Sequence, residues 1–105
     1  QINMKYSEKL TGIILNIQAA DIDIDENIKN TIRKSISRLA RHYDKIEWVD
    51  VYLEKKKEKS TEQKQVSIRL GIPGNDPFAS EYGDDFHKLF TSVEEKLRRQ
   101  LEKSN

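Results

Sequence analysis

Three groups of side chains in this chain could do chemistry. The first is titratable: two histidines, His42 and His87, and the adjacent carboxylates Asp84-Asp85, types that serve acid–base or metal work when they converge. The second is an acidic cluster, Asp21, Asp23, Asp25 and Glu26, which alternates as a calcium loop does. The third is cationic and much larger: 19 Lys and Arg among 105 residues, many repeating at helical spacing. The first two groups fall short of a site. Neither histidine belongs to a metal spacing such as HExxH, and cysteine ligands are absent. The acidic cluster lacks the glycine and the closing Glu of a calcium hand. Carboxylates at a helix start act as caps and dipole partners, which is the expected role of Asp84-Asp85 and of the cluster. No GxGxxG, phosphate-binding loop or GxSxG occurs. The expectation is a protein that is not an enzyme and uses neither cofactor nor metal.

The cations need elements to hold them. Ile13, Leu15, Ile17 and Ala19 alternate with polar positions, the period of a half-buried strand. Asp23-Ile24-Asp25-Glu26 has capping-box spacing, with Asp23 as N-cap. Ile28, Ile32, Ile36, Leu39 and Tyr43 then mark one face of a helix ending near Asp44. Val49, Val51 and Leu53 predict a second strand. The polar run Lys55–Glu62 reads as a hairpin loop, and Val66, Ile68 and Leu70 as the returning strand. Ile72–Pro77 is a turn. Phe78–Tyr82 is a short edge strand, since Pro77 cannot donate to a ladder. Phe86, Phe90, Val93, Leu97 and Leu101 form the stripe of a last helix that starts around Gly83-Asp84-Asp85.

This order predicts an α+β fold: a two-layer β-α-β-β-β-α domain, with a four-stranded sheet and both helices packed on one face. Residues 12–105 make the single domain. Residues 1–11 are read as an N-terminal arm or an expression remnant before Met4. No apolar run approaches the roughly 20 residues of a membrane helix, no secretory pattern opens the chain, and absent cysteine fits a reducing cytoplasm.

At about 100° per residue, Lys34, Arg38 and Arg41 project away from the apolar stripe of the first helix, with Lys29 and Arg33 on its other flank. On the last helix Lys88, Ser92, Lys96, Arg99 and Lys103 follow one flank. Glu94, Glu95 and Glu102 fall toward the other, with Arg98 among them. A near-neutral chain, formally +1, can thus present a basic stripe that its net charge hides. From the charges alone, two readings stand: solvated helix faces, or faces for phosphate. Arginine favours the second, because its planar fork grips phosphate at two points. Lys55–Lys59 is read as a soluble hairpin tip that could add a phosphate contact. Trp48 and Tyr52 share the sheet face away from the helices; exposed strand aromatics can stack bases, but no glycine-aromatic signature of an RNA-recognition motif occurs, and cross-strand packing is the expected role.

Three segments together carry a resemblance. Ile28 through Asp44, with Lys34, Ser37-Arg38-Leu39, Arg41 and Tyr43-Asp44, is similar to the first helix of the bacterial ribosome hibernation-promoting factors. These are also called ribosome-associated inhibitors or sigma-54 modulation proteins. Pro73-Gly74-Asn75 with Phe78-Ala79-Ser80-Glu81 resembles that family's turn and last strand. Asp85-Phe86 through Lys96-Leu97-Arg98-Arg99-Gln100-Leu101-Glu102-Lys103 resembles its last helix. The resemblance implies a protein that binds small-subunit ribosomal RNA across the A and P sites. There it would occlude the mRNA/tRNA channel and inhibit translation in stationary phase. It implies RNA contacts from Lys34, Arg38, Arg41, Lys88, Lys96, Arg99 and Lys103. It also implies a cytoplasmic stress-response protein, monomeric off the ribosome, with no small-molecule substrate and no membrane. Thr91 and His87 depart from the family's usual residues and receive no role. The chain is read as a short form without a second domain, and whether it promotes ribosome dimers stays open. The alternative is a protein-interaction module that modulates a transcription (sigma) factor through the open sheet face.

Overall fold

Alternating aliphatic residues on three successive strands build one wall of the core in this computed structural model, which describes residues 3–58 and 60–103. The elements are β1 (Met4–Leu10), β2 (Ile13–Ala20), α1 (Glu26–His42), β3 (Trp48–Glu58), β4 (Thr61–Gly71), β5 (Phe78–Gly83) and α2 (Phe86–Lys103). The sheet runs in the order β1-β2-β3-β4-β5. β2 and β3 are parallel, joined by α1 as the crossover, and the other pairs are antiparallel. Leu15, Ile17, Val49, Val51, Leu53, Val66, Ile68 and Leu70 are buried from the sheet. Ile32, Ile36, Leu39, Phe90, Val93, Leu97 and Leu101 meet them from the helices. Both helices lie on one face of the sheet, as their single apolar stripes require.

Three details differ from the sequence reading. The sheet has five strands, because residues 4–10 pair with β2 from Met4↔Ala19 to Leu10↔Ile13. Thr11 (φ 45) and Gly12 (φ 87) close that hairpin; positive φ at both central positions is the turn whose twist matches paired strands. The N-cap of α1 is Asp25, not Asp23: Asp25 Oδ1 accepts the Ile28 amide at 2.9 Å. Ile24, just before the cap, is buried, so the chain stays extended until that side chain has reached the core. The polar run after Leu53 is strand, not loop. Lys55↔Lys64, Lys56↔Gln63, Lys57↔Glu62 and Glu58↔Thr61 continue the β3–β4 ladder. Lys55 pairs diagonally with Glu62 at 3.2 Å. Lys59 lies outside the described residues.

β5 is the edge strand expected after Pro77, and α2 guards it. Gln100 Nε2 donates to the Phe78 carbonyl at 2.8 Å, and the Phe78 amide donates to Gln100 Oε1 at 3.1 Å. These bonds occupy backbone groups that an edge would otherwise offer to another chain.

Candidate nucleic-acid interface

The outer surfaces of α1 and α2 carry most of the helices' cations, while Lys29 and Arg33 turn toward β1. The two helices hold ten Lys and Arg against four Glu, so the molecule's positive charge is concentrated on the side of the sheet they cover. The seven candidates of the sequence reading, Lys34, Arg38, Arg41, Lys88, Lys96, Arg99 and Lys103, are all exposed on that side. The helix stripes are arranged as the helical angle implies: Lys34 and Arg41 face outward from α1, and Lys88, Arg99 and Lys103 face outward from α2.

The two stripes do not merge into one uninterrupted patch. Between the helices runs a shallow groove lined by Arg38, His87, Thr91, Glu94, Glu95 and Arg98. Glu94 reaches across it toward α1. Arg38 Nε and Nη2 donate to Glu94 Oε2 and Oε1, each at 2.8 Å, and the buried Ser35 hydroxyl donates to Oε1 at 2.5 Å. Burial pushes the Glu94 carboxyl up, but the bonds from Arg38 and Ser35 outweigh it and leave it below the usual carboxylate value. The same pair raises the Arg38 guanidinium.

Two more candidates also have carboxylate partners. Lys96 lies on the β5 side of α2 and pairs with Glu81, which the Ser92 hydroxyl also bonds at 2.8 Å. Those two donors hold the Glu81 carboxyl low. Arg99 pairs with Glu95 one turn earlier at 2.5 Å, the favourable i, i+4 order. Lys34, Arg41, Lys88 and Lys103 form no ion pair among the described residues. The sequence reading missed Arg98, which lines the groove beside Arg38. Its signal was legible: positions 87, 91, 94 and 98 lie along one flank of α2 at steps of four, three and four.

The other motifs of the sequence reading are local structure. Asp85 Oδ1 accepts the His87 amide at 2.9 Å, capping α2, and the Asp84 carbonyl accepts Lys64 Nζ at 3.1 Å. Asp21 exchanges bonds with Asn3 at 3.2 and 3.3 Å. His42 and His87 are both exposed. No three His, Asp or Glu side chains stand close enough to hold a metal among the described residues. Among the described residues no helix is long and apolar enough to cross a membrane.

Residues 15–105 match the model of the family described as sigma 54 modulation protein / S30EA ribosomal protein. The chain belongs to this family. It is 27% identical over 89 residues to a ribosome hibernation promoting factor of Pseudomonas putida, with 85% of this chain and 83% of that protein covered. It is 28% identical over 87 residues to the factor of the same name in Azotobacter vinelandii, covering 83% and 78%. The fold is similar to the N-terminal domain of Protein Y from Thermus thermophilus, with TM-score 0.73, 20% identity, and 87% and 94% covered. It is equally similar to a ribosomal subunit interface protein from Coxiella burnetii, with TM-score 0.73, 23% identity, and 88% and 94% covered. The family match begins after β1 and includes both cation-bearing helices.

Proposed function

We propose that this protein is a ribosome hibernation factor. It binds the small ribosomal subunit through the α1–α2 surface, occludes the mRNA/tRNA channel across the A and P sites, and so inhibits translation. It acts in the cytoplasm, as a monomer off the ribosome and without a cofactor. The observation that carries the reading is the charge sorting: ten cations against four carboxylates on two helices of a chain whose formal net charge is +1. Family membership and the names of the relatives agree with it.

The contacts are to phosphate, which positions a protein on RNA without reading sequence. Lys34, Arg41, Lys88 and Lys103 form the part of the surface ready to meet phosphate. Arg99 can trade Glu95 for phosphate at small cost, since an exposed pair contributes only about 0–1 kcal/mol. Arg38 is held by Glu94 and points along the groove, where its remaining donors and Arg98 would grip a backbone lying over the seam. Steric occlusion then needs no chemistry, only residence.

The test is co-sedimentation with small subunits across a salt series. The double variant Lys34→Glu/Arg41→Glu should bind at least tenfold more weakly, and its log-affinity should fall less steeply with log salt, because fewer counterions are released. Undiminished binding by that variant at physiological salt would refute the assignment. Reversal at Arg38 is a poorer probe, since it sets a carboxylate beside Glu94 and damages the fold itself.

A further inference from the structure

The face of the sheet opposite the helices carries a second groove, which the helix-side reading does not use. It holds about 380 Å³ and is lined by Lys5 and Ser7 of β1, Asn16 and Gln18 of β2, Asp50 and Tyr52 of β3, and Arg69 and Phe78 beyond them. That volume is at the small end of the roughly 300–1,000 Å³ of ligand pockets, room for about one nucleotide. Three features define its chemistry. Phe78 is 43% exposed, and the Arg69 guanidinium lies 4.6 Å from its ring centroid. Asp50 stands directly opposite Arg69 in the β3–β4 ladder, yet Arg69 forms no ion pair among the described residues and stacks on the ring instead. Lys5, across the groove, likewise has no carboxylate partner among them. The floor is hydroxyl, amide and one carboxylate: Ser7 Oγ donates to Asn16 Oδ1, and Asn16 Nδ2 donates to Asp50 Oδ1.

We propose that this open face binds a short single-stranded nucleic-acid segment, one base stacking against the Phe78–Arg69 platform. Lys5 and Arg69 bracket its phosphates, and Gln18 is placed to meet a base edge. Aromatic rings and arginine planes on a sheet are surfaces that take unpaired bases of any sequence, and Lys5 and Arg69, without ion-pair partners among the described residues, supply the charge complementarity. An acidic peptide would use the cations equally but has no need of the stacked ring.

Trp48, the chain's one tryptophan, reports on this face: it lies on the same side of β3, two residues from Asp50, with its indole across Gly71. The experiment titrates the full chain at low salt with a short oligouridine, with polyphosphate and with polyglutamate, following Trp48 fluorescence. Oligouridine should give a saturable change. Arg69→Gln and Phe78→Ala should each weaken it about tenfold, while Lys34→Glu/Arg41→Glu leaves it intact. Phe78→Leu, which keeps apolar bulk without a ring, replaces Phe78→Ala if circular dichroism shows that variant unfolded. The proposal is overturned if oligouridine gives no change, or if polyphosphate or polyglutamate matches it. It is equally overturned if the sheet variants bind normally, or if the signal vanishes in the helix variant. Subunit sedimentation of Arg69→Gln separates this site from the helix surface, whose binding stands or falls independently.

Discussion

Two arginines on opposite flanks of α1 each hold a glutamate in a two-point grip, and the molecule uses them differently. Arg33 reaches to the edge strand: its Nε and Nη2 donate to Glu8 Oε2 and Oε1 at 2.8 and 2.6 Å, Tyr6 donates to the same carboxylate at 2.6 Å, and Lys29 lies 3.8 Å over the Tyr6 ring. Arg38 reaches instead to Glu94 on α2. The Glu8 side chain and the Glu94 side chain are equally enclosed, each 17% exposed. Arg33 is 27% exposed, whereas Arg38 is 50% exposed. The first grip is turned inward and fastens β1 to the domain. The second fastens helix to helix while leaving half of its cation on the surface proposed to meet RNA. A charged clip can therefore be purely architectural or double as part of an interface, and the exposure of the cation, not the bond geometry, distinguishes the two.

The largest effect should come from breaking the helix–helix grip at its acceptor. Glu94→Ala removes the partner of Arg38 and also orphans the Ser35 hydroxyl, which is 1% exposed. A buried unsatisfied donor costs about 1–3 kcal/mol, so denaturant unfolding should show a loss of about 2 kcal/mol. Glu94→Gln keeps an acceptor for Ser35 and should lose about half as much. Equal losses in the two variants would mean that Ser35 contributes nothing and the grip is Coulombic alone.

Breaking the β1 grip should cost less and act locally. Glu8→Ala should lose about 1 kcal/mol, but hydrogen exchange should accelerate at the amides of residues 4–10 while β3 and β4 keep their protection. Uniform acceleration across the sheet would show that β1 is integral to global stability and is not a fastened edge.

Why β1 escaped the sequence reading follows from the same grip. Its inward face is Tyr6, Glu8 and Leu10, and a strand that encloses a glutamate has no apolar alternation to find. The partner that makes Glu8 tolerable, Arg33, lies 25 residues away. The Lys55–Glu58 extension escaped for a related reason: it runs past the helices, so its two faces are both polar although its ladder is regular. The helices were legible because each buries one stripe, and that stripe fixes where every cation points. What the helical angle could not supply was the carboxylate arriving from another element, Glu81 from β5 for Lys96 and Glu94 across the seam for Arg38. The cations of the site were readable one helix at a time; their cancellation was a tertiary fact.

Acid should act on both grips in the same direction. Hydrogen bonds from Arg33 and then Tyr6 hold the Glu8 carboxyl at about 2, against an ordinary value of 4.5, and Glu94 is also lowered. A carboxyl that ionises more readily when folded binds fewer protons in the native state, so the stability it contributes is full above about 4.5 and is lost as pH falls toward 2. Unfolding free energy measured between those values should decline less steeply in Glu8→Gln than in the parent chain. A parallel decline would show that Glu8 keeps its partners in the unfolded ensemble.

The smallest effect on stability should come from Arg99, and that is what makes it informative. Its pair with Glu95 is exposed, 65% and 48% for the two side chains, and such i, i+4 pairs are worth about 0.3–0.5 kcal/mol. Arg99→Ala should leave the unfolding midpoint nearly unmoved. On the proposed surface the same side chain exchanges its carboxylate for phosphate, so Arg99→Ala should weaken small-subunit binding severalfold and reduce the salt slope by about one charge. Glu95→Ala should do the reverse, freeing Arg99 and strengthening binding at low salt. If both substitutions left binding unchanged, Arg99 would be a solvated cation and no part of the interface.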